Sequence, residues 1–300
     1  MKTFRYRGTD IEDTYCEAFD GVYARLLITA ANKDLLKKAA NSFTALPSTV
    51  FNKSEGGVEK WVPASETPDK LPGALVQLWV NYSKKAGKIL EEELGWRIRQ
   101  GVLVVPTTRV YNALSSENRI DTMDKVGHCG DGYETVEKRF HKELIRIPIM
   151  MGDFYIERFL GYARGVMGGN LWFFCESLET SLSISETALK AVKGVEGVIT
   201  PFDVCSAGSK VETKYPEIGP TTNHPYCPSL KGRIRDSKVP DGVESIPEIV
   251  INGISLENVK KAMFTGINSV VCQKGLIKIS AGNYGGKLGK YQIWLRDLVK

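Results

Sequence analysis

Two rhythms of apolar residues alternate along this chain, a short β-type run followed by a helical stripe. Residues 25–29 form the first run; Asn32 then stands as a cap before a helix that places Leu35, Leu36, Ala39, Ala40 and Phe43 on one face. Leu46-Pro47 ends that helix. Residues 74–80 are again β-rich, Ser83 stands as the next cap, and Ile89, Leu90, Leu94 and Ile98 recur at helical spacing until Gly101. The unbroken apolar run 102–105 predicts a strand covered on both faces. After a polar, weakly patterned surface excursion over 115–142, residues 145–151 turn apolar, and Gly-Asp-Phe at 152–154 predicts a junction.

The second half repeats the plan. Residues 171–175 predict a strand, Ser183 or Ser185 a cap, Ala188, Leu189, Val192 and Val195 a helix face, and 198–200 another strand. Residues 206–245, rich in Gly, Pro, Ser and Lys, predict an irregular insertion too long for a simple connection. The stretch 246–262 is a strand, a turn and a helix capped by Ser255, with Val259, Met263, Ile267 and Val270 facing one way, and 276–280 is the closing strand. Laid without a gap on 24–39, it matches Ile28 with Ile251, Lys37 with Lys260, Lys38 with Lys261 and Ala39 with Ala262, the signature of an internal duplication. Two strand-helix-strand units per half predict an α+β protein of two ferredoxin-like (split βαβ) lobes related by duplication, one over 1–150 and one over 151–300.

Composition narrows the chemistry. Net charge is +5 from 40 basic and 35 acidic residues, too mild to argue for a nucleic-acid partner, and no run approaches the ~20 apolar residues of a membrane span. The N-terminus lacks an apolar signal core, so the expectation is a soluble, cytoplasmic protein. Six cysteines without a CxxC pair predict reduced thiols, and three histidines without ligand spacing argue against a zinc or iron enzyme. Walker A fails at Ala281 and Leu288, and GxGxxG, GxSxG and HExxH strings are absent.

Three polar segments remain as candidate cleft edges: SETPD (65–69), CSAGSK (205–210) and SAGNYGGKLGK (280–290). Their glycines permit close backbone approach to a ligand, and Lys210, Lys287 and Lys290 can meet anionic groups; ordinary tight turns with solvated lysines are the alternative. Glu248 shares a strand face with Val250 and Asn252 and aligns with Arg25 in the repeat, so local sequence allows either a wet strand-edge carboxylate or a catalytic one. His128, in a polar loop, and Trp172, Phe173 and Phe174 carry no distinctive pattern, the last three being assigned to the core.

Taken in order, IEDT (11–14), SETPD, VVPTT (104–108), IPIM and GDF (147–154), GGN (168–170), ITPF (199–202), AGSK (207–210), CPS (227–229), EIVING (248–253) and SAGNYGGKLGKYQ (280–292) resemble the formylmethanofuran:tetrahydromethanopterin formyltransferase family along the full chain. The resemblance implies two ferredoxin-like lobes, a homotetramer, and metal-free amide exchange with no permanently bound cofactor. A formyl group moves from the amine of methanofuran to N5 of tetrahydromethanopterin. It implies Glu248 as the catalytic acid and base. It further implies substrate contacts at Ser65, Glu66, Thr67, Asp153, Phe154, Ser206, Ser209, Lys210, Asn283, Tyr284 and Lys287. Met151, where the family carries an acid, and the weakly matching 115–142 region keep a second expectation open, a non-catalytic paralogue that anchors a formylmethanofuran-producing complex.

Overall fold

The computed structural model describes residues 2–46 and 53–300. Strands β1 (Thr3–Tyr6), β2 (Thr9–Glu12) and β3 (Tyr15–Thr29) lead to helix α1 (Lys33–Thr44), followed by β4 (Ser54–Val62), β5 (Gly73–Asn81), α2 (Ala86–Arg97) and β6 (Arg109–Asn112). Next come β7 (Arg119–Asp121), β8 (Thr135–Arg139), β9 (Lys142–Ile149), β10 (Gly152–Glu157), β11 (Phe159–Cys175) and α3 (Leu178–Lys193). The chain closes through β12 (Val198–Ile199), β13 (Glu248–Gly253), α4 (Leu256–Val270), β14 (Leu276–Ser280), β15 (Tyr291–Trp294) and α5 (Leu295–Leu298). The protein is a mixed α+β molecule.

It divides into two compact units, Gly21–Gly165 and Met1–Asp20 with Val166–Lys300. In the first, antiparallel pairing gives the strand order β4-β5-β3-β6. Ala24, Leu26 and Ile28 of β3 and Val76, Leu78 and Val80 of β5 share a core with Leu36, Ala39, Ala40 and Phe43 of α1 and Leu90 and Leu94 of α2. Asn32 caps α1 as expected, its side chain accepting from the Asp34 and Leu35 amides at 3.1 and 3.0 Å. The expected stop at Pro47 lies outside the described residues.

The second unit has the antiparallel order β12-β13-β11-β14. Leu171, Phe173, Ile249, Ile251 and Ile279 meet Ala188 and Val192 of α3 and Val259, Met263, Ile267 and Val270 of α4. Ser255 caps α4 by accepting from the Asn258 amide at 3.2 Å. Between β12 and β13 the chain makes only short 3-10 turns and isolated bridges, as expected for an irregular insertion.

Several expectations are corrected. Residues 1–20 belong with the C-terminal unit because β2 pairs in parallel with β14 and β15 pairs with the start of β3, contacts between residues more than 260 positions apart. Residues 151–165 stay with the N-terminal unit because β10 pairs in parallel with β6 and β7 pairs with β11. Gly152, at φ 98°, closes the β9–β10 hairpin after Met150 and Met151.

The run 102–105 is not a strand: helical structure continues from α2 as a π-turn over Ile98–Leu103. An unbroken apolar run fits a buried helix as well as a buried strand. Gly101 allows the helical course, since a Cβ there would come within 3.0 Å of the Phe43 amide nitrogen. The 115–142 excursion carries β7 and β8, and the exposed β8 is the outer strand of a ribbon with β9 and β10. α3 begins two turns earlier than expected because Ser177, not Ser183 or Ser185, accepts from the Thr180 amide at 3.1 Å. Ser83 forms the turn before α2, accepting from the Lys85 amide at 3.3 Å, and makes no side-chain cap to the helix itself.

Candidate active site

Glu248 opens β13. The pleat sends Ile249 and Ile251, both fully buried, toward the helices and turns Glu248 to the opposite face. Trp172 of β11 lies directly across from it in the ladder, on the same face. The Trp172 indole N–H donates to Glu248 Oε1 at 2.8 Å. From the insertion, Cys205 exchanges two backbone hydrogen bonds with Glu248, at 2.7 and 2.9 Å, and its thiol donates to the carboxylate. Burial raises the Glu248 carboxyl above the ordinary range, and these two neutral donors offset only part of that rise. Burial, reinforced by the Glu248 charge, also raises the Cys205 thiol, so it remains an S–H donor.

Two cavities flank this pair. The larger, about 350 Å3, is lined by Glu248, Ser206, Ala207, Cys227 and Pro228 and reaches Leu178, Ser181, Leu182 and Ser185 of α3. The second, about 290 Å3, is lined by Glu12, Ser209, Lys210, Glu212, Lys238, Gly282, Asn283 and Tyr284. Trp172, Asn223 and Tyr226 line both. The Tyr226 ring packs edge-on against Trp172 with centroids 4.8 Å apart, and burial pushes its phenol up to about 12.

The glycine-rich segment after β14 is organised by a carboxylate the sequence analysis passed over. Glu17, buried on β3, accepts from the backbone N–H groups of Tyr284, Leu288 and Gly289 at 2.8, 3.0 and 2.8 Å and from that of Gly286. Burial alone would raise this carboxyl; the converging amides outweigh it and hold it below its usual range. Gly285 and Gly286 adopt φ of 70° and 77°, which lets successive amides converge on one anion. Asn170 anchors the start of the segment, accepting from the Gly282 amide at 2.6 Å.

Of the expected site residues, the C-terminal unit assembles Glu248, Ser206, Ser209, Lys210, Asn283 and Tyr284 around the two cavities, while Lys287 stands exposed in the same loop and lines neither. Ser65, Glu66 and Thr67 belong to the other unit, where Thr67 donates to the Leu71 carbonyl at 2.7 Å. Asp69 beside them is a structural anchor, accepting from Thr29, Arg109 and Tyr111 at 2.7 to 3.1 Å. Asp153 pairs with Arg146 at 2.8 Å on the β9–β10 ribbon, and Phe154 is 1% exposed, a core residue rather than a lining one. Asn223 and Tyr226 were missed, Trp172 was assigned to the core, and Cys205 opens the expected CSAGSK edge. The register that sets Trp172 opposite Glu248 is not legible in composition or periodicity, and Trp172 reads locally as core. The proposed match of Glu248 with Arg25 also fails: β13 is the third strand of its four-strand motif and β3 the first of its own.

A half-buried carboxyl with two neutral donors, beside two cavities that share a tryptophan wall, can give up and take back a proton. Comparison with known proteins makes the class specific. Residues 4–149 match the family described as formylmethanofuran-tetrahydromethanopterin formyltransferase, and residues 152–298 match its partner family, described as FTR, proximal lobe. A formylmethanofuran–tetrahydromethanopterin formyltransferase-like protein of Archaeoglobus fulgidus is 60% identical over 98% of this chain and 97% of its own length. The formyltransferase of Methanocaldococcus jannaschii is 42% identical over 98% and 99%. The solved formyltransferase from Methanosarcina barkeri superimposes with a TM-score of 0.90 at 41% identity, covering 98% of this chain and 100% of that one. A chain of the formyltransferase/hydrolase complex from Methylorubrum extorquens, solved with methylofuran, gives 0.91 at 29% identity, covering 100% and 99%. The chain belongs to the formylmethanofuran–tetrahydromethanopterin formyltransferase family.

Proposed function

We propose that this protein transfers a formyl group between formylmethanofuran and N5 of tetrahydromethanopterin in one-carbon metabolism, with Glu248 as the proton-transferring group. The supporting observation is the Glu248 carboxyl itself, half-buried at the cavity wall, held by the neutral Trp172 and Cys205 donors and raised above the ordinary range. The pterin N5 attacks the formyl carbon, the C–N5 bond forms and the carbonyl oxygen takes up negative charge. Glu248 delivers its proton to the departing methanofuran nitrogen as the old C–N bond breaks, and the resulting carboxylate receives the proton released from N5. The balance closes with one carboxyl and two substrates held in register, without a covalent intermediate. Metal-free exchange without a permanently bound cofactor is part of the same proposal.

The test is direct. Purified protein mixed with formylmethanofuran and tetrahydromethanopterin should produce formyl-pterin, followed by its absorbance, and no transfer at micromolar protein overturns the proposal. A second reading draws on the relatives between 47% and 60% identical, which carry the description formyltransferase-like, whereas those at 41% to 42% carry the enzyme's name without that qualifier. On that reading the chain is a paralogue that anchors a formylmethanofuran-producing complex. Co-purification with partner subunits in the absence of transfer would select it.

The same proposal includes a duplicated ferredoxin-like architecture, supported by the matching orders β4-β5-β3-β6 and β12-β13-β11-β14, each with helices after its first and third strands. Cytoplasmic location and homotetrameric assembly rest on family membership. Light scattering on the purified protein should give four chains per particle.

A further inference from the structure

Glu17 is a buried carboxylate that proton transfer at Glu248 does not use. Each of its oxygens accepts from two backbone amides of one loop, Oε1 from Tyr284 and Gly286 and Oε2 from Leu288 and Gly289. The contact is too close for a side chain on the last of these residues, since a Cβ at Gly289 would lie 2.5 Å from the Glu17 Cβ. The neighbours of Glu17 hold the ends of the loop. Asn283 donates to the Thr14 hydroxyl and the Tyr15 carbonyl, both at 3.1 Å, and Asp20 accepts from Lys290 at 2.9 Å and from Tyr291 at 2.7 Å.

Among the described residues no backbone–backbone hydrogen bond closes 281–290 on itself. Glycine loses more backbone freedom on folding than any other residue, so a loop with glycines at 285, 286 and 289 keeps one course only where outside groups hold it. Four charge-assisted bonds to one carboxylate do so. That course delivers Asn283 and Tyr284 to the wall of the second cavity. Burial raises the Tyr284 phenol and the Glu248 charge raises it further, which puts the ring within electrostatic reach of the carboxyl assigned to proton transfer.

Resting on the function proposed above, we propose that Glu17 is a positioning residue for the transfer: its carboxylate gathers the 284–289 amides and so fixes Tyr284 at the second cavity. Glu17 acts through the loop and exchanges no proton with a substrate.

Transfer rates per folded molecule and trypsin cleavage after Lys287 test this in Glu17→Gln and Glu17→Ala. The bond cut is the one whose Leu288 N–H Glu17 holds, so cutting reports the loop without any turnover. Glutamine keeps the shape but turns an NH2 group toward two of the four amides, whereas alanine empties the nest. Glu17→Gln should lower kcat/KM by about 10²-fold, as for a displacement of about 1 Å at a reacting centre, and should speed the cut. In Glu17→Ala, added acetate should enter the empty nest and restore both the rate and the resistance to trypsin. Glu17→Gln, whose side chain fills that space, should not respond, which separates anion binding from ionic strength. Wild-type kcat/KM in both variants overturns the assignment, whatever their melting temperatures. Acetate that restores resistance without rate, or that acts equally on both variants, overturns it too. If Glu17→Ala does not fold, the rate and the cut in Glu17→Gln decide alone. In a wild type without turnover, faster cutting of Glu17→Gln would keep the anchor and remove the enzyme. Turnover with cutting and rate unchanged in both variants would do the reverse.

Discussion

Each unit carries a tryptophan on the sheet face away from its helices, and the two donate to different kinds of partner. Trp79 gives its indole N–H to Gln77 at 2.8 Å, Gln77 gives its amide to Glu59 at 2.8 Å, and Arg25 closes the chain with two bonds to Glu59 at 2.8 and 2.6 Å. Tyr23 stacks on Trp79 with centroids 4.6 Å apart. Trp172 donates instead to Glu248, whose other side-chain donor is a thiol and whose neighbourhood is a cavity. The first network neutralises its buried carboxylate with a half-buried guanidinium. The second leaves an acid in a low-dielectric wall, where protonation is the way to relieve its charge. One unit thus sets its tryptophan in a paired, charge-neutralised network, and the other sets its tryptophan against a carboxyl raised by burial at a cavity wall, the group to which we assign proton transfer.

The comparison breaks most visibly at the two carboxylates. Glu248→Gln keeps the shape and should lower kcat by about 10²–10⁴, the usual contribution of a positioned acid–base. A wild-type rate in that variant removes the assignment. Glu59→Ala removes both bonds from Arg25 to Glu59 and should cost about 1.5–3 kcal/mol of stability by urea denaturation, while the rate per folded molecule is retained. If instead Glu59→Ala abolished turnover at unchanged stability, the network would be part of the chemistry.

Subtler changes sharpen the contrast. The Trp172 bond favours the charged form of Glu248, so Trp172→Phe should move the alkaline limb of the pH–rate profile to higher pH, whereas Trp79→Phe should leave it in place. Smallest is a linkage effect on stability. Because folding raises the Glu248 pKa, the acid is neutral in both states below its unfolded value of about 4.3 and opposes folding as it ionises at higher pH. Glu248→Gln should therefore melt with the wild type at low pH and above it at pH 8. A constant offset across that range would mean that burial is not what shifts this group.

Local signals identified the elements whose information is local. Asn32 and Ser255 cap the helices expected of them, and Val259, Met263, Ile267 and Val270 are all fully buried on one face of α4. Where the signal was degenerate it misled. Residues 102–105 lack the alternation that separates strand from helix, and α3 is capped by Ser177 and not by either expected serine, Ser183 or Ser185. The apparent repeat was a true likeness between strand-helix pairs, laid across different halves of the two motifs, which is why it matched Glu248 with Arg25. The Glu17 nest joins residues about 270 positions apart, beyond any window of periodicity.

Composition, apolar spacing and caps, all properties of neighbours along the chain, therefore determined the α+β class, helices α1 to α4, the strands β3, β5, β11, β13 and β14 and, through motif order, the family. Which residues surround Glu248 was decided by the tertiary structure alone. Strand register sets Trp172 opposite it, and the insertion folds back to bring Cys205 and Tyr226 to the same wall. A carboxyl's protonation depends on solvent exclusion and on the donors within a few ångströms, and a linear sequence specifies neither until the sheet has assembled.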